Sequence, residues 1–231
     1  MPKRVIFLLK VVVHLACLAP FVWLLHLYQN GSLGLLPDPV NFITHFTGDW
    51  ALWTLLACLA ITPVRRLHTS LGFLIRFRRM VGLYAFFYAT LHLLTYILLF
   101  SGYDIPTALA GVQSGHLSEV WTQFKLVWPR MWDDIQKRRF IQVGFAAWVI
   151  LLLLAATSPS AIMRAMGGKN WQRLHWSIYL AAWLGVTHFW WMVKPGVMSP
   201  LRVTIVLDVL LLARLSYWAM KKIRARRNLA A

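Results

Sequence analysis

Three histidines lie inside stretches of membrane length. His92 falls in Ala85-Phe-Phe-Tyr-Ala-Thr-Leu-His-Leu-Leu-Thr-Tyr96, and His175 and His188 fall in Trp171-Gln-Arg-Leu-His-Trp-Ser-Ile-Tyr-Leu-Ala-Ala-Trp-Leu-Gly-Val-Thr-His-Phe-Trp-Trp191. An ionisable side chain within hydrocarbon is costly enough to mark a functional hypothesis. Neutral imidazole is a common ligand for heme iron, so these residues point to porphyrin iron held inside a membrane. His175 and His188 stand 13 residues apart, about 20 Å along an ideal helix. That spacing would give each leaflet its own imidazole and allow one heme above another. On the same ideal helix the two side chains diverge by about 140°, so they share a stripe only if the helix bends.

The elements that must position these imidazoles are apolar spans. Of the 231 residues, 59% are hydrophobic and only 13% are charged, far from soluble averages. The expected fold is all-α, a polytopic membrane bundle of about six transmembrane helices in a single domain, residues 1–231. The spans are expected at about 5–28, 46–64, 80–100, 140–157, 172–193 and 203–220. Lys and Arg total 24 against 7 Asp and Glu, a formal charge of +17. On a soluble chain that excess would suggest a nucleic-acid partner. Here it gathers between spans, at Arg65, Arg66, Arg76, Arg78 and Arg79 and in the tail from Lys221 to Arg227. Positive-inside topology explains it, with both termini cytoplasmic and no nucleic acid bound. Cys17 and Cys58 lie within spans, so a structural disulfide is not expected, and no C-x-x-C-H occurs for covalent heme attachment. In the third connection, Leu117, Val120, Trp121, Phe124, Val127, Trp128 and Met131 recur at three- and four-residue steps. They predict an amphipathic interfacial helix, with docking of a partner protein as the other reading, and Pro129 is expected to kink or divide it.

Depth sorts the histidines. His92 and His188 fall in the outer halves of antiparallel spans and form the preferred axial pair. His175 enters its span from the inner side, where it would face a second heme or a flavin. His14, near the middle of the first span, and His45, just before the second, are further possible ligands, with a helix-to-helix hydrogen bond as the equal alternative. His26, His68 and His116 sit at span ends or in loops and read as solvated. Asp208 and Arg214 lie within the sixth span, where a helix contact and snorkelling account for them. Arg76, Arg78 and Arg79 could attract a flavin phosphate or contact a quinone, although positive-inside charge and lipid contact explain them first.

Several stretches together resemble a known family: Lys10-Val-Val-Val-His14, His45-Phe-Thr-Gly48, Ile61-Thr-Pro63, Ile75-Arg-Phe-Arg-Arg-Met-Val-Gly-Leu83, Ala89-Thr-Leu-His-Leu93, Trp171-Gln-Arg-Leu-His175 and His188-Phe-Trp-Trp191. The chain is similar to the MsrQ family, the heme-binding membrane subunits of the bacterial periplasmic methionine sulfoxide reductase system, within the ferric reductase-like transmembrane superfamily. The resemblance implies b-type heme, one or two per chain, together with FMN. It implies an electron-transfer subunit of the bacterial inner membrane rather than the methionine sulfoxide reductase itself. Electrons would come from the quinone pool or a cytoplasmic flavin reductase and pass to the periplasmic molybdopterin enzyme MsrP, which repairs oxidised proteins. The chain departs from four-histidine members of the superfamily, which place two ligands on the third span. The matching positions on either side of His92 hold Arg78 and Pro106. An inner site at His175 would need His14 or another group opposite it. No G-x-G-x-x-G follows a strand, so the electrons must arrive from a separate molecule. A stand-alone ferric or quinone reductase, a proton-coupled transporter and a non-catalytic membrane anchor are the competing functions.

Overall fold

The computed structural model describes residues 2–230, which form helices and short connections without a strand among the described residues. The helices are α1 (Lys3–Gln29), α2 (Pro39–Val64), α3 (Arg78–Thr95), α4 (Ile105–Gln113), α5 (Ser118–Lys137), α6 (Arg139–Ala156), α7 (Ser160–Met166), α8 (Gly168–His175), α9 (Ile178–Met192) and α10 (Ser199–Ala230). Five are long and apolar enough to cross a membrane: α1, α2, α3 with its continuation to Phe100, α6 and α10. The protein is therefore a multi-pass helical membrane protein.

Local chemistry sets the boundaries. The Asp38 side chain accepts the Asn41 amide at 2.9 Å and Pro39 opens the helix, a capped start with a preset φ. Helix α2 consequently begins seven residues before the expected position and carries His45 inside it. Helix α5 runs unbroken through Pro129; the ring removes one amide donor, a loss this helix tolerates without dividing. The segment expected at 172–193 is not one helix. It breaks at Trp176 and Ser177, where the Trp176 amide is shared between the Gln172 and Arg173 carbonyls and the Ser177 hydroxyl donates to the Leu174 carbonyl at 2.7 Å. Helix α9 alone has 15 residues, fewer than the roughly 20 that cross a bilayer. It completes that length only together with α8.

Helices α2 and α3 pair closely, as do α6 and α9, and the two pairs meet in a common core. That core draws Leu55, Leu56 and Leu59 from α2, Val81 and Ala85 from α3, Leu151 and Leu154 from α6, Ala181, Ala182 and Val186 from α9, and Val203 and Leu207 from α10. Ala85 and Ala181 are almost wholly buried. Small residues at such crossings let membrane helices approach closely. Helix α1 is peripheral and is pinned to α3 by polar contacts: the Tyr88 hydroxyl donates to the Cys17 carbonyl at 2.6 Å, and His14 Nδ1 pairs with the Tyr84 hydroxyl at 2.9 Å. At one end of the bundle, α4 and α5 form a hairpin tied by the Tyr103 hydroxyl to the Val120 carbonyl and by the Tyr96 hydroxyl to Asp134. Trp121, Phe124, Trp128 and Trp132 stack along α5. The opposite end carries the 65–77 connection and is called the arginine end below.

Candidate functional site

Near the α5 end, His92 of α3 and His188 of α9 face each other across the seam between the two helix pairs. Their ring centroids are 5.9 Å apart with planes at 81°. Each ring is held the same way. His92 Nδ1–H donates to the Thr44 carbonyl of α2 at 3.0 Å, and His188 Nδ1–H donates to the Phe140 carbonyl of α6 at 2.7 Å. A carbonyl can only accept, so each Nδ1 must carry the proton and each Nε2 is left with a free lone pair. An imidazole that donates one nitrogen to a carbonyl and offers the other is the usual orientation of a metal-ligating histidine.

Space for these rings comes from two glycines. A Cβ on Gly48 would stand 3.1 Å from His92 Cε1, and one on Gly144 would stand 2.6 Å from His188 Nδ1. Each glycine lies one helical turn beyond the carbonyl that accepts from the same histidine, so carbonyl and gap form one cradle. Both hydrogen bonds join residues 48 apart. The interval from Gly48 to Gly144 equals those from His92 to His188 and from Pro63 to Pro159. The site is therefore built by two similar helix hairpins. Thr44, Gly48, Phe140 and Gly144 escaped the reading of the sequence, although this repeated interval was present in it.

A metal between the pair fits the distances. Two imidazole–metal bonds of about 2 Å put facing nitrogens roughly 4 Å apart, and with each ring centroid about 1 Å behind its nitrogen the centroids should stand about 6 Å apart, close to the observed 5.9 Å. No cluster of three or more His, Cys, Asp or Glu side chains that could hold a bare metal ion occurs among the described residues. Two facing imidazoles are a donor set that fits a porphyrin iron, whose remaining ligands belong to the cofactor.

The other sequence candidates are placed differently. His175 stacks on Trp171 at 3.8 Å, and its Nε2 lies 3.3 Å from the Thr157 hydroxyl. That hydroxyl already donates to the Leu153 carbonyl at 2.7 Å, so Nε2–H is the donor and the ring has the opposite tautomer to His92 and His188. No histidine pairs with it among the described residues, and Arg78 is a neighbour. His14 sits on the exposed side of α1, engaged by Tyr84, away from the pair. His45 lies beside His92 and Asp49. Arg76 and Arg79 are exposed and Arg78 is half-buried at the arginine end. An open cavity of about 580 Å³ is lined by Asp49, Trp53, Phe189, Met198 and Arg202 among others, with neither His92 nor His188 in its wall.

Residues 47–186 match the profile of the ferric reductase like transmembrane component family, a stretch that includes both His92 and His175. Over 225 residues the chain is 44% identical to the protein-methionine-sulfoxide reductase heme-binding subunit MsrQ of Xanthomonas oryzae pv. oryzae, covering 96% of this chain and 90% of the relative. The chain belongs to the MsrQ family. It is 39% identical to the MsrQ protein of Herminiimonas arsenicoxydans over 226 residues, with 97% and 91% of the two chains covered. The MsrQ protein of Xanthomonas campestris pv. campestris is 41% identical over the same share of this chain as the Xanthomonas oryzae protein. No solved structure gives a match.

Proposed function

We propose that this chain is a transmembrane electron carrier that holds b-type heme between His92 and His188. The single observation that carries the reading is the pair of facing imidazoles whose Nδ1 protons are committed to the Thr44 and Phe140 carbonyls. Bound heme would supply reversible one-electron iron chemistry. The protein's own part is to fix two ring orientations, to keep both Nε2 atoms unprotonated, and to surround them with packed apolar helices that exclude water. His14 and His45 are secondary ligand candidates. His175 would serve a second heme only after turning away from Thr157.

The relatives' name, heme-binding subunit of a protein-methionine-sulfoxide reductase, supports the direction of use. Electrons would leave for a periplasmic catalytic subunit of the MsrP type, in repair of oxidised proteins at the bacterial inner membrane. The concentration of arginines at one end supports placing that end and both termini in the cytoplasm. The donor would be the quinone pool or a cytoplasmic flavin reductase, with FMN near Arg76, Arg78 and Arg79. The cavity that includes Asp49 and Phe189 supports a quinol as donor, since a lipophilic molecule could approach the pair there from the bilayer.

The test is a reduced-minus-oxidised spectrum of the purified protein and of His92→Ala and His188→Ala, with heme extraction from the same samples. Each variant is expected to insert into the membrane and lose the low-spin b-type signal. An unchanged spectrum in either one would overturn the axial pair. Reduction of soluble ferric chelates at the same rate with and without the catalytic partner would favour a stand-alone reductase.

A further inference from the structure

At the arginine end, positive charge is concentrated without an acidic partner. Arg214 sits within α10, half-buried, and its guanidinium donates to the Tyr179 hydroxyl of α9 and the Leu59 carbonyl of α2. Arg66 and Arg78 lie close enough for their charges to act on it. Arg66 is laid over the Tyr217 ring at 3.9 Å, which leaves its edge N–H groups directed away from the ring. Arg65 Nε and Arg214 Nε have no hydrogen-bond partner. Both ion pairs among the described residues are at the C-terminal end of α5 and its cap residue Arg138, at the other end of the molecule. The neighbouring acid on α10, Asp208, makes no ion pair.

Like charges gathered at low dielectric are unfavourable unless something neutralises them, and here the protein supplies only neutral acceptors. Helix α10 presents exposed Leu212, Leu215 and Trp218 along the same stretch. The missing counterion must therefore be anionic and attached to something that lies along an apolar helix. We propose that Arg65, Arg66, Arg78 and Arg214 bind the phosphate of one anionic phospholipid in the leaflet at the arginine end, with its acyl chains against α10. The lipid locks the ends of α2, α3 and α10 together. Guanidinium groups suit this role because they can meet phosphate oxygens bidentately.

The experiment strips the purified full chain of lipid in a neutral detergent. Phosphatidylglycerol, phosphatidylcholine or glycerol phosphate is then added, while thermal unfolding is followed by tryptophan fluorescence and bound lipid is counted by native mass spectrometry. Phosphatidylglycerol is expected to bind at one site per chain and raise Tm, with phosphatidylcholine ineffective. The variant Arg65→Gln/Arg66→Gln, which keeps Arg214 and its ties, is expected to bind at least about tenfold more weakly, since a hydrogen bond to a charged group contributes more than that factor. Arg224→Gln/Arg226→Gln, which lowers charge on the tail alone, should retain binding. Equal stabilisation by both lipids in the unaltered chain would overturn the site, a comparison that holds even if the arginine variant fails to fold. Equal binding by the two variants would reduce it to general surface attraction, and a response to glycerol phosphate but not to phosphatidylglycerol would assign the arginines to a soluble phosphate ester instead.

Discussion

Replacing Gly144 by alanine tests the site at its tightest point. The added Cβ would lie 2.6 Å from His188 Nδ1 and 2.8 Å from Cε1, closer than folded proteins allow, so the ring must swing away and release the Phe140 carbonyl. The hydrogen bond itself is worth about 0.5–1.5 kcal/mol. Loss of a partner that orients a metal ligand typically weakens metal binding by about 10- to 100-fold. Gly48→Ala is the built-in comparison, because its Cβ would stand 3.1 Å from His92 Cε1 and 3.2 Å from Nδ1. A shift of a few tenths of an ångström relieves that contact, and less than about a tenfold loss is expected. Alanine is the better helix former by roughly 0.5–1 kcal/mol, so neither change should impair helix formation. The assay is heme titration into the apoprotein, with the reduced-minus-oxidised spectrum and the amount of membrane-inserted protein measured on the same preparations. Wild-type affinity in Gly144→Ala, or a greater loss in Gly48→Ala, would refute the cradle geometry.

Other substitutions probe the supports of the site. Tyr88→Phe removes the bond to the Cys17 carbonyl and should destabilise the docking of α1 by about 1 kcal/mol, seen as a lower Tm with the heme spectrum retained. Ala181→Leu places extra bulk at a position that is 1% exposed, and an overpacking cost of about 1–3 kcal/mol is expected in thermal unfolding. Thr157→Val removes the acceptor of His175 Nε2–H and should leave the spectrum of the His92 and His188 pair unchanged; a shifted spectrum would mean that His175 is itself a heme ligand. The Thr107 hydroxyl and amide hold the Asp104 carboxyl below its ordinary range. Its lowered folded value means that the cap on α4 is fully in place above the ordinary carboxylate range and is lost as pH falls through the lowered value. The protection factors of residues 105–113, taken against the intrinsic exchange rate at each pH, should fall on acidification, whereas Asp104→Ala should show the low protection already at neutral pH.

Much of this molecule could be read along the chain. Apolar length marked five helices long enough to cross a membrane and a sixth segment that is divided between α8 and α9, the charge distribution distinguished their two ends, and residue count placed His92 and His188 at matching depth. The amphipathic pattern of α5 was equally legible, because its two faces differ in chemistry. The sequence did not convey rotation. In lipid a helix can be apolar on every side, so α9 carries no stripe that tells which face meets α6 and which meets α3. Only the tertiary structure decided that His92 and His188 face each other, that the Thr44 and Phe140 carbonyls choose their tautomers, and that Gly48 and Gly144 make room for the rings. It also broke the fifth span between His175 and His188, and it drew Arg214 to α2 and α9. Depth follows from counting residues at a fixed rise, whereas facing, tautomer and counterion depend on neighbours that are distant in the chain and become adjacent only when the helices pack.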